Sequence, residues 1–83
     1  LSSSLQNEAY KALVERLIKA RLAAKLTQQA VADRLGKPQS YVAKVEGFER
    51  RLDAIELLML AKAIGFNPMP ALKEAWRSVE AGG

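Results

Sequence analysis

The chain of 83 residues has neither cysteine nor histidine. That double absence removes disulfide staples, thiolate nucleophiles, imidazole bases and almost every transition-metal site, so zinc-dependent folds and histidine-based triads are excluded. No apolar run approaches the length of a bilayer crossing, because Glu15, Arg16, Lys19, Arg21 and Lys25 interrupt the most hydrophobic early segment. Strand-period alternation is missing, and so is a glycine loop that could cradle phosphate. The nine carboxylates include no pair set by an apparent pocket, so neither an enzyme nor a cofactor is expected. A chain without cysteine fits a reducing cytoplasmic compartment, and nothing after Leu1 reads as a targeting leader.

What is present looks globular. The apolar fraction of 49% and charged fraction of 27% are those of an ordinary folded domain. With no linker, repeat or low-complexity segment, residues 1–83 read as one domain. The net charge of +4 is unevenly placed: residues 16–51 hold nine basic and three acidic side chains, a net of +6, and the remainder carries −2. Segregated positive charge is the footprint of a polyanion binder, although an ordinary solvated surface has the same look on charge alone.

The hydrophobic spacing predicts five helices. Ser2 to Ser4 are candidate caps for a first helix beginning near Leu5 and running to about Lys25, with Glu8 in its first turn and Ala9, Leu13, Leu17, Ala20 and Ala24 inward. Thr27 caps a second helix of about nine residues, with Val31, Ala32 and Leu35 inward and Gly36 as its left-handed end. Lys37-Pro38 starts a third, over residues 38–46, with Val42 and Val45 inward and Gly47 closing it. Asp53 caps a fourth, carrying Leu57, Leu60, Ala61 and Ile64 and closed by Gly65. After Phe66-Asn67-Pro68-Met69-Pro70, a fifth helix spans about 70–80 and Ala81-Gly82-Gly83 frays. The fold class is all-α, one compact bundle.

Gln28 to Gly47 is the decisive stretch. Two short helices joined by a tight glycine turn need a small residue at their crossing, and Ala32 stands four positions before Gly36. Val42 and Val45 point back at the second helix, which leaves Gln39, Ser40, Ala43 and Lys44 on a face no core supports. The combination of Leu26-Thr27-Gln28, Ala32, Leu35-Gly36, Gln39-Ser40-Tyr41-Val42, Glu46, Glu49 to Asp53, Leu60-Ala61 and Ile64-Gly65 resembles the phage repressor and Cro-like helix-turn-helix family of xenobiotic-response regulators. The resemblance covers roughly Leu17 to Asn67, with the motif at residues 28–47. Two positions depart from the pattern. Lys37 fills a turn site usually given an apolar residue, and Gly47 precedes Phe48 where the family usually places glycine one residue later.

The resemblance implies a five-helix, phage-repressor-like domain, a sequence-specific transcription regulator whose third helix enters the major groove of double-stranded DNA. Gln39 is then the best base reader, because its amide matches the N6 and N7 edge of adenine. Ser40 reaches bases or phosphate, and Lys44 reaches guanine or phosphate. Tyr41 either packs beside helix two or touches a thymine methyl or phosphate. Gln28, at a helix start, is expected at phosphate with Lys37, Arg50 and Arg51, although the two arginines have a competing reading as caps or ion pairs with Glu49 or Asp53. Arg34 lies too late on helix two to join them. Glu46 meets the negative end of its helix, and the resemblance pairs it with Arg21 as a structural ion pair.

One short recognition helix reads few bases, so a homodimer on a palindromic operator is expected. Met69, Leu72, Trp76 and Val79 on helix five are either its contact or a lid over the core. The alternative function is an antitoxin-like or other protein-binding module on the same helices. Membrane binding is not expected, since the apolar face of the basic first helix is needed for the core.

Overall fold

The computed structural model describes residues 2–82, and the side chains of residues 7–82. Among the described residues the chain forms five α-helices and no strand: α1 (Ser2–Ala23), α2 (Gln28–Leu35), α3 (Gln39–Glu46), α4 (Ala54–Ile64) and α5 (Met69–Gly82). None of these helices is long and apolar enough to cross a membrane.

Two helix starts are made by the side chains that the sequence marks. Thr27 Oγ1 accepts from the Ala30 N–H at 3.0 Å, satisfying one of the unpaired donors of α2. Asp53 Oδ1 accepts from the Glu56 N–H at 2.7 Å while Glu56 Oε1 accepts from the Asp53 N–H at 3.0 Å, a reciprocal box. Other bounds need correction. The first helix already runs at Ser2, so Ser2 to Ser4 lie within it rather than before it, their side chains lying outside the described residues, and its first turn holds no acid. Pro38 is the cap of α3 rather than part of its first turn, which shortens the third helix by one residue. At the far end α5 continues through Ala81 and Gly82.

Four helices end in the same way. A residue with positive φ donates its N–H three residues back, and the next residue donates five back. At α2 these bonds are Gly36 to Asp33 (3.1 Å) and Lys37 to Ala32 (3.0 Å), and at α4 Gly65 to Lys62 (3.1 Å) and Phe66 to Ala61 (2.9 Å). At α1 they are Lys25 to Leu22 (3.0 Å) and Leu26 to Arg21 (3.1 Å), and at α3 Phe48 to Val45 (3.1 Å) and Glu49 to Lys44 (2.8 Å). The left-handed residue is glycine twice, and otherwise Lys25 (φ 59°) and Phe48 (φ 62°). Gly47, the expected terminator of α3, has φ −86°. The closing turn therefore falls on Phe48, and the departure noted in the sequence changes the side chain there rather than the turn.

The core gathers Leu17, Val31, Ala32, Val42, Val45, Leu57, Leu60, Ala61 and Ile64. Helices α2, α3 and α4 bury the residues expected, with Leu35 half-buried. On α1 the expected Ala9 and Leu17 are buried, Leu13 and Ala20 pack against the core, and Val14 joins them. Val14 is 1% exposed, Leu13 and Ala20 are half-buried and Ala24 is exposed. Half-buried Tyr10 and Arg21 flank the buried Val14 and Leu17, and their polar tips find partners: the Tyr10 hydroxyl accepts from the Leu52 N–H at 3.0 Å. An apolar-only count misses such residues because an apolar body can be buried behind a polar tip. The last helix lies on α1 with Ala71 buried, and Arg16 pairs with Glu74 across the seam at 2.6 Å.

Candidate nucleic-acid interface

Gly36 makes the tight turn that brings the start of α3 beside the start of α2. Within α3, a rotation of about 100° per residue places Gln39, Ser40, Ala43 and Lys44 on an arc of about 140°, opposite Val42 and Val45. Gln39, Ser40 and Lys44 are exposed and Ala43 is half-buried, so the outward face expected from the sequence is the outward face of the fold.

Behind that face runs a line of hydrogen bonds. The Arg21 guanidinium donates to Glu46 through Nε at 2.7 Å and Nη2 at 2.9 Å, and through Nη1 to the Leu26 carbonyl at 2.8 Å. The two side chains are only 11% and 12% exposed, so the ion pair inferred from the resemblance is present, two-pronged and largely out of water. The line continues past the pair. Gln28 Nε2 donates to Glu46 Oε1 at 2.9 Å, and Gln39 Nε2 donates to Gln28 Oε1 at 2.7 Å. Arg21, Glu46, Gln28 and Gln39 thus connect α1, the end of α3, the start of α2 and the start of α3. The sequence places Gln28 at a helix start and expects it at phosphate, and its bonds to both Glu46 and Gln39 were not foreseen; two glutamines opening adjacent helices are the signal that was available.

The cations around this face are held by aromatic rings. Lys37 Nζ and the Arg50 guanidinium lie 5.2 and 5.1 Å from the centroid of the same half-buried Tyr41 ring. Arg51 lies 4.2 Å from the Tyr10 ring, and Lys11 sits 5.6 Å from the Phe48 ring. Arg50 also donates to Glu56 at 2.5 Å, so its acidic partner is neither Glu49 nor Asp53. The adjacent Tyr41 side chain, then the nearby Glu56 carboxylate, raises the Arg50 pKa above its ordinary value. Tyr41 lies off the outward arc, on the side of its helix that meets the loop following α3. Arg34 donates to the Ala63 carbonyl at 2.7 Å, a tie between α2 and α4 that the sequence did not announce. On α5, Met69, Trp76 and Val79 are 52%, 61% and 40% exposed, so of the four expected lid residues only Leu72 packs on the core. No group of carboxylates among the described residues is arranged to hold a metal ion.

Two comparisons with known proteins place this arrangement. The helix-turn-helix family profile matches residues 17–69, which take in the end of α1 and all of α2, α3 and α4. A solved XRE-family like protein from Pseudomonas syringae pv. tomato str. DC3000 is 43% identical, with a TM-score of 0.85 over 90% of this chain and 92% of that one. No curated protein matches the chain significantly. The chain belongs to the XRE-type, Cro and repressor-like helix-turn-helix family, whose members are in general DNA-binding transcription regulators.

Proposed function

We propose that the protein is a sequence-specific transcription regulator that inserts α3 into the major groove and binds as a homodimer on a palindromic operator in the cytoplasm. The observation that carries this reading is the exposed arc of Gln39, Ser40 and Lys44, projecting from a helix whose other side is sealed into the core. Its amide, hydroxyl and ammonium groups are the types that meet base edges. Beside the arc stand Gln28 at the start of α2 and the cations Lys37, Arg50 and Arg51, in reach of the flanking phosphates. Tyr41 serves this surface by holding Lys37 and Arg50 rather than by reading a base.

A dimer is supported by the exposed stripe of Met69, Trp76 and Val79, an apolar face on a helix that already has its own packing against α1. The same stripe is what a protein partner would use under the antitoxin-like alternative, and salt dependence separates the two readings.

Selection of bound duplexes from a random pool tests the proposal. It should return a palindrome with half-sites about one helical turn apart. On that site Gln39→Ala should weaken binding by about 1–3 kcal/mol and leave affinity for random duplex unchanged. Equal losses on both would remove Gln39 from the base-reading surface.

A further inference from the structure

We propose that Glu46 is a positioning residue for base recognition: its carboxylate sets the order in which the Gln39 amide presents its acceptor and donor to a base. This deepens the reading of Gln39 as the base reader and rests on it. The argument starts from what each group can do. An ionised carboxylate only accepts hydrogen bonds, whereas a glutamine amide accepts at one end and donates at the other. Glu46 Oε1, 2.9 Å from the end of the Gln28 amide, therefore requires that end to be the NH2 group. The opposite orientation would set two unprotonated oxygens against each other close to a largely buried negative charge.

With Gln28 so oriented, its oxygen faces Gln39 at 2.7 Å and requires NH2 there as well. Gln39 is left with its oxygen and one N–H free, in a fixed order. That order matters at the base edge, because adenine offers a donor at N6 and an acceptor at N7, and a reversed amide would meet donor with donor and acceptor with acceptor. Arg21 holds Glu46 in place through two prongs and contributes nothing to the order itself. A residue at the far end of the recognition helix, shielded from DNA, thereby governs a choice made at its start.

The test uses the duplex selected by the wild-type protein and reads discrimination, the ratio of affinity for that site to affinity for the same site with the adenine facing Gln39 replaced. The double variant R21M/E46Q removes both charges, keeps the net charge and gives Gln28 a neighbour that accepts it either way round. Its discrimination should fall by about tenfold while affinity for random duplex stays within about twofold. The Gln28→Met variant should lose discrimination as well, beyond any equal loss on both duplexes from a missing phosphate contact. Arg21→Lys, which weakens the pair but keeps the carboxylate, should lower the melting temperature and retain discrimination.

A folded double variant that still discriminates overturns the proposal, as does an Arg21→Lys protein that loses discrimination equally. Where a variant does not fold, the wild-type protein decides. Scalar couplings across hydrogen bonds, from the Gln28 side-chain N–H to the Glu46 carboxylate carbon and from the Gln39 side-chain N–H to the Gln28 amide carbon, should be observable in the absence of DNA. Their absence overturns the relay and leaves the base-reading role of Gln39 standing. Couplings present with no base preferred opposite Gln39 overturn the base-reading role, and the proposal with it.

Discussion

Arg21 carries the heaviest single burden among the charged residues. Truncating it to alanine removes the two prongs on Glu46 and the bond to the Leu26 carbonyl, and leaves a carboxylate that is 12% exposed at the negative end of α3. The expected cost is about 3 kcal/mol in urea unfolding, the low end of the range for an orphaned buried charge because the site keeps some contact with water. A loss under about 1 kcal/mol would show that the pair is solvated in solution. Lys25 acts in the opposite sense. A lysine held at φ 59° bears a backbone cost that glycine does not, so Lys25→Gly should stabilise the protein by about 0.5–1 kcal/mol. Phe48, at φ 62°, has the same backbone but a ring in contact with Lys11, so its exchange for glycine should gain less. Paired denaturation curves of the two variants check the ordering.

At the level of elements, α2 and α3 have eight residues each, too short to be stable alone, so their ends and their packing hold them. The Thr27 cap is the one side-chain device at the start of α2, and Thr27→Ala should cost about 1 kcal/mol in thermal unfolding. A cost near zero would mean that water replaces the hydroxyl without loss. The helices themselves were legible: Thr27 and Asp53 announced two starts, Gly36 and Gly65 two ends, and the valines of α3 its inward side. The ends of α1 and α3 were also placed closely, but the left-handed residues that close them were not legible. Lys25 and Phe48 adopt the left-handed turn against their own preference, and the chain beyond each turn brings Leu26 and Leu52 against the core. The inward positions of Tyr10 and Arg21 on α1 escape hydrophobic spacing for a related reason, since both are inward only by virtue of partners on other elements.

For the whole molecule, segregated charge and an unpaired apolar stripe are the features that matter. A dimer whose two basic faces neutralise about six to eight phosphates should bind DNA with a log–log salt slope of about −5 to −7. Light scattering of the free protein should give a dimer that Trp76→Glu converts to monomer, with the helical content of α5 unchanged. A wild-type protein that is monomeric both free and on DNA would refute the dimer.

The positions of the base-reading candidates were decided by local rules. Periodicity places Gln39, Ser40 and Lys44 on one side of a short helix, and the glycine turn sets that helix beside α2, so no distant contact is needed to infer them. The ties among these residues belong to the tertiary structure. That Gln28 bridges Glu46 and Gln39, that Tyr41 gathers Lys37 and Arg50, and that Trp76 faces outward all depend on which helices meet and at what angle. Side-chain reach across a helix crossing is a property of packing, and one-dimensional spacing does not carry it.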